Sequence, residues 1–346
     1  MSPTSQHTHT PKHDIVHVVE REHVEFFVSL FKEIDENIYS LLKESKIPGD
    51  IQSPQSDYSH VPESTLKNLM QVLGSKTSSE NFGVLIWSAC KNVYIPKFVS
   101  QLTQGHSLKE ALDEFSTHLK KHSSNAKVYT QYAGGKWWLV RDKTGRDEIW
   151  FKYGEMFSVV FMSELLRTLT NHKWQPSEIG ITSEEHQDFA RLPELSNAQF
   201  FTGRDVTALH IPTALMKAPV SQVRKRPSTA DISKTAITGF LPSFKLAVKP
   251  YLSMGKLPIK MASQILNINV RTIQRKLEKE SAIYSEVIES MVLEQMIELI
   301  KCDSLPITVI AARMGYSDSA HFTRAFKRLT HMTPSQYRKS IISKKS

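Results

Sequence analysis

The chain has 346 residues, enough for two domains with separate cores. Its 40% apolar and 23% charged composition is that of an ordinary globular protein. No apolar run approaches the roughly 20 residues of a membrane span. The polar, His- and Thr-rich start is unlike a secretory signal. Two cysteines, Cys90 and Cys302, lie far apart without CxxC spacing, which argues against a zinc site and for a reducing cytoplasm. The net charge of +9 is unevenly placed: residues 240–346 hold 17 Lys/Arg and 8 Asp/Glu, whereas residues 1–239 hold 27 of each. A basic module beside a neutral one points to a polyanion partner for the basic part.

Residues 1–14 read as a disordered tail, in which His7, His9 and His13 are expected to be solvated and not metal-bound. From residue 15 to 216 the pattern is α+β. Phe26, Phe27, Leu30, Phe31 and Ile34 fit one helix face, and Pro48–Pro62 reads as a polar loop. Apolar periodicity predicts helices at Ser64–Leu73, Asn81–Cys90 and Ser107–Lys121, the last opened by a capping box of Ser107 with Glu110. The period then becomes two: Val128–Ala133 and Lys136–Asp142 flank Gly134-Gly135, a two-residue hairpin signal. A third strand is expected at Glu148–Lys152, a helix at Tyr153–His172, and short strands at Glu178–Thr182, Gln199–Phe201 and Thr207–Ile211. Trp87, Trp137, Trp138, Trp150 and Trp174 are candidates for lining a ligand pocket, with core packing the commoner role for any one of them. Residues 217–239 carry small polar residues, prolines and the cluster Arg224-Lys225-Arg226, and read as an interdomain linker.

From residue 240 to 341 the chain is helical, and one pattern occurs twice. The first copy is PIKMASQILNINVRTIQRKLEK, residues 258–279, and the second is PITVIAARMGYSDSAHFTRAFKR, residues 306–328. Pro258-Ile259 recurs as Pro306-Ile307 and Leu266-Asn267 as Met314-Gly315, 48 residues on. After one inserted residue, Ile273, Arg275 and Leu277 recur as Phe322, Arg324 and Phe326. Proline suits the first turn of a helix, and Gly315 or Asn267 can take the left-handed backbone that ends one. Asn269 and Ser317 are then the expected N-caps of the second helices. Those helices turn Arg271, Gln274 and Arg275, or His321, Arg324 and Lys327, outward. This is the layout of a helix-turn-helix, whose second helix enters the major groove. Between the copies, Tyr284–Ile300 predicts a long connecting helix, and Phe244–Leu252 a lead helix before the first copy.

Catalytic signals are lacking. There is no glycine-rich phosphate loop, HExxH or GxSxG, and Glu184-Glu185-His186 fits the acidic start of a helix. No catalytic residue, metal ligand or cofactor is therefore expected, and the protein is read as a non-enzyme. The alternative from another class is a DNA-delivered thiol enzyme of the repair-methyltransferase kind. It would need Cys90 or Cys302 as nucleophile, and neither has an activating His beside it in sequence.

The phrase MGYSDSAHFTRAFKRLTHMTPSQYRK, Met314–Lys339, closely resembles the signature of the AraC/XylS family of transcription regulators, and NVRTIQRKL resembles that family's first recognition helix. The chain departs from the family at Ser281 and His331, where Gly is usual just after each recognition helix, and at Met291, where Arg is frequent. More weakly, SLKEALDEF, WQPSEIGIT and FTGRDVTALHIPTALMKAPV are similar to the sensor domain of the ornithine- and virulence-type regulators of that family. The resemblance implies an α+β sensor domain followed by an all-α domain with two helix-turn-helix motifs joined by a long helix. It also implies a cytoplasmic, sequence-specific regulator that binds double-stranded DNA, works with RNA polymerase, and is controlled by a small-molecule effector or a homodimer contact. By position in the motif, Arg271, Gln274, Arg275, Ser319, His321, Thr323 and Arg324 are expected to read bases. Lys327, Arg328, Arg338 and Lys339 are expected to hold phosphates. Effector, ligand-binding residues, operator, and activation versus repression stay open.

Overall fold

The computed structural model describes residues 15–32, 38–102, 107–125, 127–220, 239–254, 256–302 and 304–342. The expected tail, its three histidines, Ile34 and Arg224-Lys225-Arg226 lie outside those residues. The chain divides into two compact units. One takes the described parts of residues 1–18, 57–62 and 237–346; the other takes those of 19–56 and 63–236. The α+β domain expected over 15–216 is thus interrupted. Val16 and Val18 are buried in the same core as Phe240 and Phe244, and the Val16 N–H donates to Ser243 Oγ at 2.8 Å. The Lys249 ammonium donates to the Asp57 carbonyl at 2.9 Å. These ties draw two early segments into the C-terminal unit.

The N-terminal unit is α+β. Its elements follow β1 (Val18–Glu20), where the chain passes between units: α1 (Arg21–Phe31), α2 (Ile38–Glu44), α3 (Glu63–Lys76), α4 (Ser79–Ala89), α5 (Ile95–Val99), α6 (Leu108–His122), β3 (Lys127–Ala133), β4 (Lys136–Asp142), α7 (Trp150–Leu169), β5 (Glu178–Gly180), α8 (Gln187–Ala190), β6 (Gln199–Phe201), β7 (Thr207–Ile211) and α9 (Thr213–Met216). β2 (His60–Pro62) closes what was expected to be a plain polar loop and belongs to the other unit. The five-stranded sheet runs β3-β4-β7-β5-β6, antiparallel except for the parallel β5–β6 pair. Gly134 and Gly135, at φ +59° and +75°, make the two-residue turn between β3 and β4, which only glycine takes without strain on both residues.

Two expectations need correction here. The third strand at Glu148–Lys152 is the entry to α7, and the Phe151 N–H donates to the Glu148 carbonyl at 2.9 Å. Five residues are too few to separate a strand from the first turn of a buried helix by periodicity. The helix expected to stop at Cys90 continues through a π turn, Cys90–Tyr94, into α5. Pro96 has no N–H for the i−4 ladder, and the wider turn absorbs that loss. The Ser107–Glu110 capping box forms as expected.

The C-terminal unit is helical: α10 (Phe240–Val248), a 3₁₀ turn (Lys249–Met254), α11 (Ile259–Leu266), α12 (Val270–Lys279), α13 (Tyr284–Lys301), α14 (Ile307–Arg313), α15 (Ser319–Thr330) and α16 (Pro334–Ile342). One core unites Phe244, Ile273, Leu277, Met296, Phe322 and Phe326, all fully buried. Met291, the departure noted within the connecting helix, is buried in it as well, an apolar solution that leaves no charge to neutralise. None of the helices among the described residues is long and apolar enough to cross a membrane.

Candidate nucleic-acid interface

The two copies share a backbone mechanism. In the first, the Pro258 carbonyl accepts from the N–H groups of Met261 at 2.8 Å and Ala262 at 3.0 Å, starting α11. Asn267 sits at φ 54°, ψ 41°, and the Ile268 N–H reaches back to the Ser263 carbonyl at 3.1 Å, closing the turn. Asn269 then caps α12, its Oδ1 accepting from the Arg271 N–H at 2.9 Å. In the second copy the Pro306 carbonyl accepts from Val309 and Ile310, both at 3.0 Å. Gly315 takes φ 75°, and Tyr316 donates back to the Ala311 carbonyl at 3.0 Å.

The expected cap of the second copy is one residue off. Asp318, not Ser317, caps α15, accepting from the His321 N–H at 2.8 Å. The residue inserted in this copy moves the stronger acceptor into place. That same N–H, chiefly, holds the Asp318 carboxyl below its ordinary value. The Ser317 hydroxyl bonds instead with Asp318 Oδ2 at 3.2 Å and with His321 Nδ1 at 3.0 Å.

Both recognition helices leave through left-handed residues that are not glycine. Ser281, at φ 56°, follows α12, with Ala282 donating to the Leu277 carbonyl at 3.0 Å and Ser281 to Glu278 at 2.9 Å. His331, at φ 59°, follows α15 and donates to the Lys327 carbonyl at 2.8 Å. These are the positions where the resemblance led us to expect glycine. The backbone keeps the glycine-like path and bears the strain of a Cβ there.

The candidate contact residues fall into two groups. Arg271, Gln274, Arg275, Arg324, Lys327 and Lys339 are exposed. Their side chains make no hydrogen bond or ion pair among the described residues. The others, Ser319 apart, are engaged. Thr323 is half-buried and donates to the Ser319 carbonyl at 2.7 Å. His321 is held by Ser317 and lies 3.1 Å from an Asp318 oxygen. Arg328 pairs with Glu289 on α13 at 2.6 Å, an exposed pair that a phosphate can exchange at little cost. Half-buried Ser319 opens α15. Arg338, expected at a phosphate, is half-buried, and its guanidinium donates to the carbonyls of Ile300 at 3.0 Å and Leu305 at 2.8 Å. It ties α16 to the end of α13 and the approach to α14, and supplies a donor to the Ile300 carbonyl, which the helix end leaves unpaired.

Sequence reasoning missed a second brace. The Glu280 carboxylate accepts from the N–H groups of Phe240 at 2.7 Å and Leu241 at 3.2 Å, capping α10 from the far end of α12. Lys276 lies 5.2 Å from the centre of the Phe240 ring, reinforcing that junction. The two partners stand about 40 residues apart, so no local pattern announces them. The Tyr284 hydroxyl donates to the Leu257 carbonyl at 2.7 Å, and burial pushes its pKa up to about 12.

Residues 262–340 match the family described as helix-turn-helix domain. This domain is of the AraC type. The match spans both recognition helices and stops within α16. Among curated proteins, the chain is similar to the HTH-type transcriptional regulator VqsM of Pseudomonas aeruginosa, 32% identical over 79 residues, which are 23% of this chain and 24% of that protein. It is also similar to the ornithine utilization regulator of Pseudomonas aeruginosa, 28% identical over 82 residues, 24% of each chain. The matches therefore span about a quarter of these relatives. Among solved structures, transcriptional regulator CdpR from Pseudomonas aeruginosa aligns over 87% of this chain and 96% of its own, with 15% identity and a TM-score of 0.39.

Proposed function

We propose that this protein is a sequence-specific transcription regulator that reads double-stranded DNA through two helix-turn-helix motifs and answers to a small molecule bound in its N-terminal unit. What supports this best is the pair of recognition helices, α12 and α15, each opened by a side-chain cap and each presenting an exposed arginine, Arg275 or Arg324, at the matching position. The connecting helix has 18 residues, which at 1.5 Å per residue is about 27 Å. That is the scale of the roughly 34 Å between successive major-groove faces. In this reading Arg271, Gln274 and Arg275, with Ser319, His321, Thr323 and Arg324, meet base edges. Lys327, Lys339 and, after leaving Glu289, Arg328 meet phosphates. RNA polymerase and a second copy of the chain are the protein partners of such a regulator, and the cytoplasm is its place of work.

The thiol-enzyme alternative finds little support. Cys90 is fully buried, and burial, helped by the charge of Glu164, pushes its thiol far above the ordinary value, which disfavours the reactive thiolate. Cys302 is exposed, with Ser304 Oγ at 3.4 Å.

Selection of bound duplexes from a random library tests the proposal. A regulator enriches a motif with two half-patterns about one helical turn apart. Retention of all sequences alike, with only salt-dependent affinity, would leave a non-specific DNA binder.

A further inference from the structure

The N-terminal unit contains a cavity of about 150 Å³ between α1, α3, the end of α6, the β3–β4 hairpin and α7. Its apolar wall includes Phe27, Met70, Val128, Phe157, Phe161 and Met162. Of the five tryptophans considered as pocket residues, Trp150 alone lines it.

Among the residues that line it, cations outnumber carboxylates, although Glu148 lies 4.0 Å from Lys67 just outside. Lys67, Lys127, Arg141 and Lys143 face two carboxylates, Glu63 and Asp142. Glu63 is taken: Lys143 pairs with it, Lys67 lies 3.9 Å away, and the Asn125 amide donates to it at 3.1 Å. Burial would raise the Glu63 carboxyl, but Lys143 overrides that and keeps it below its ordinary value. Asp142 has Lys127 at 3.4 Å. Arg141 has no such partner: among the described residues no carboxylate comes within ion-pair distance, and Nη1, sealed from solvent, makes no hydrogen bond. The carboxylate of Glu155 acts on Arg141 through its charge but accepts from Thr182 N at 2.8 Å, Thr182 Oγ1 at 2.9 Å, Ser183 N at 3.3 Å and Thr207 Oγ1 at 2.6 Å. Burial pulls Arg141 down to about 10, against the opposing charges of Glu155, Glu63 and Asp142. The half-buried Arg141 guanidinium lies 5.6 Å from the centre of the Phe151 ring, which offsets part of the cost of its unbonded Nη1, and an anion at its remaining donors offsets more.

We infer that this cavity binds a small apolar carboxylate, its hydrocarbon part against the aromatic wall and its carboxylate held by Arg141. The inference rests on the reading of the N-terminal unit as an effector domain and names the chemical class of the effector. The volume suits a single ring or a chain of about six to eight carbons, since a cavity of this size takes up benzene. A planar fork of donors facing a planar anion is the pairing for which arginine is best suited.

Calorimetric titration of the full chain with phenylacetate and hexanoate, and with phenylacetamide and hexanamide as neutral isosteres, tests this. The acids should bind at least about tenfold more tightly than their amides, the worth of one charge-assisted hydrogen bond. Arg141→Met, checked for folding by circular dichroism, should lose about the same factor. If that variant does not fold, the acid–amide contrast in the natural protein still decides. Absence of binding by both acids, equal binding of acids and amides, or unchanged acid affinity in a folded Arg141→Met overturns the inference. Retention of a selected duplex by the same preparation separates the two readings. DNA binding with no acid bound overturns the carboxylate site alone. Acid binding that leaves DNA affinity unchanged supports the site and overturns small-molecule control of DNA binding.

Discussion

Both helix-turn-helix copies close their turn with the same backward bond, Ile268 to Ser263 in the first and Tyr316 to Ala311 in the second, and both leave the recognition helix through a left-handed residue. They differ in how polar side chains are used. On α12, Arg271, Gln274 and Arg275 make no hydrogen bond or ion pair among the described residues. On α15, His321, Thr323 and Arg328 are bound to Ser317, Ser319 and Glu289. A shared backbone path therefore does not carry a shared division of labour. The first copy leaves more of its donors uncommitted, and the second uses more of its polar groups in bonds within its own unit.

The largest expected effect is on base reading. Arg275→Ala should remove about 1–3 kcal/mol of preference for a selected duplex over random DNA, read by competition binding, while His321→Ala should change that preference much less. Equal losses would erase the contrast between the copies. Next comes Arg338→Met, which strips donors from the carbonyls of Ile300 and Leu305. It should cost about 1–2 kcal/mol of stability in denaturant melts and leave the salt dependence of DNA binding alone. Ser281→Gly and His331→Gly should each stabilise by about 0.5–1 kcal/mol, because glycine occupies the left-handed region without the Cβ penalty. A loss of stability at either site would mean that the side chain contributes more than its backbone strain costs. Lys339→Ala should act least on stability, within about 0.5 kcal/mol, but should lower the slope of log affinity against log salt by about 1.

How much of this could be read from sequence depends on range. The duplicated motif was legible because its signals are local: Pro258, Asn267 and Asn269 act within a few residues of where they stand. The Gly134-Gly135 hairpin and the Ser107–Glu110 box were legible for the same reason. The braces made by Arg338 and Glu280 were not, since each is defined by partners about 40 residues away. The shift of the cap from Ser317 to Asp318 shows the limit of a pattern copied across an insertion. The cavity was illegible altogether. Phe27, Met70, Arg141 and Phe161 come together only through the packing of α1, α3, β4 and α7.

The central claim is that one chain reads two successive segments of the major groove. Protection of guanine N7 on a selected duplex tests it most directly, comparing the natural protein with Arg275→Ala and Arg324→Ala. We predict two protected patches about 10 base pairs apart, one lost in each variant. A single patch, or the same patch lost in both variants, would contradict it.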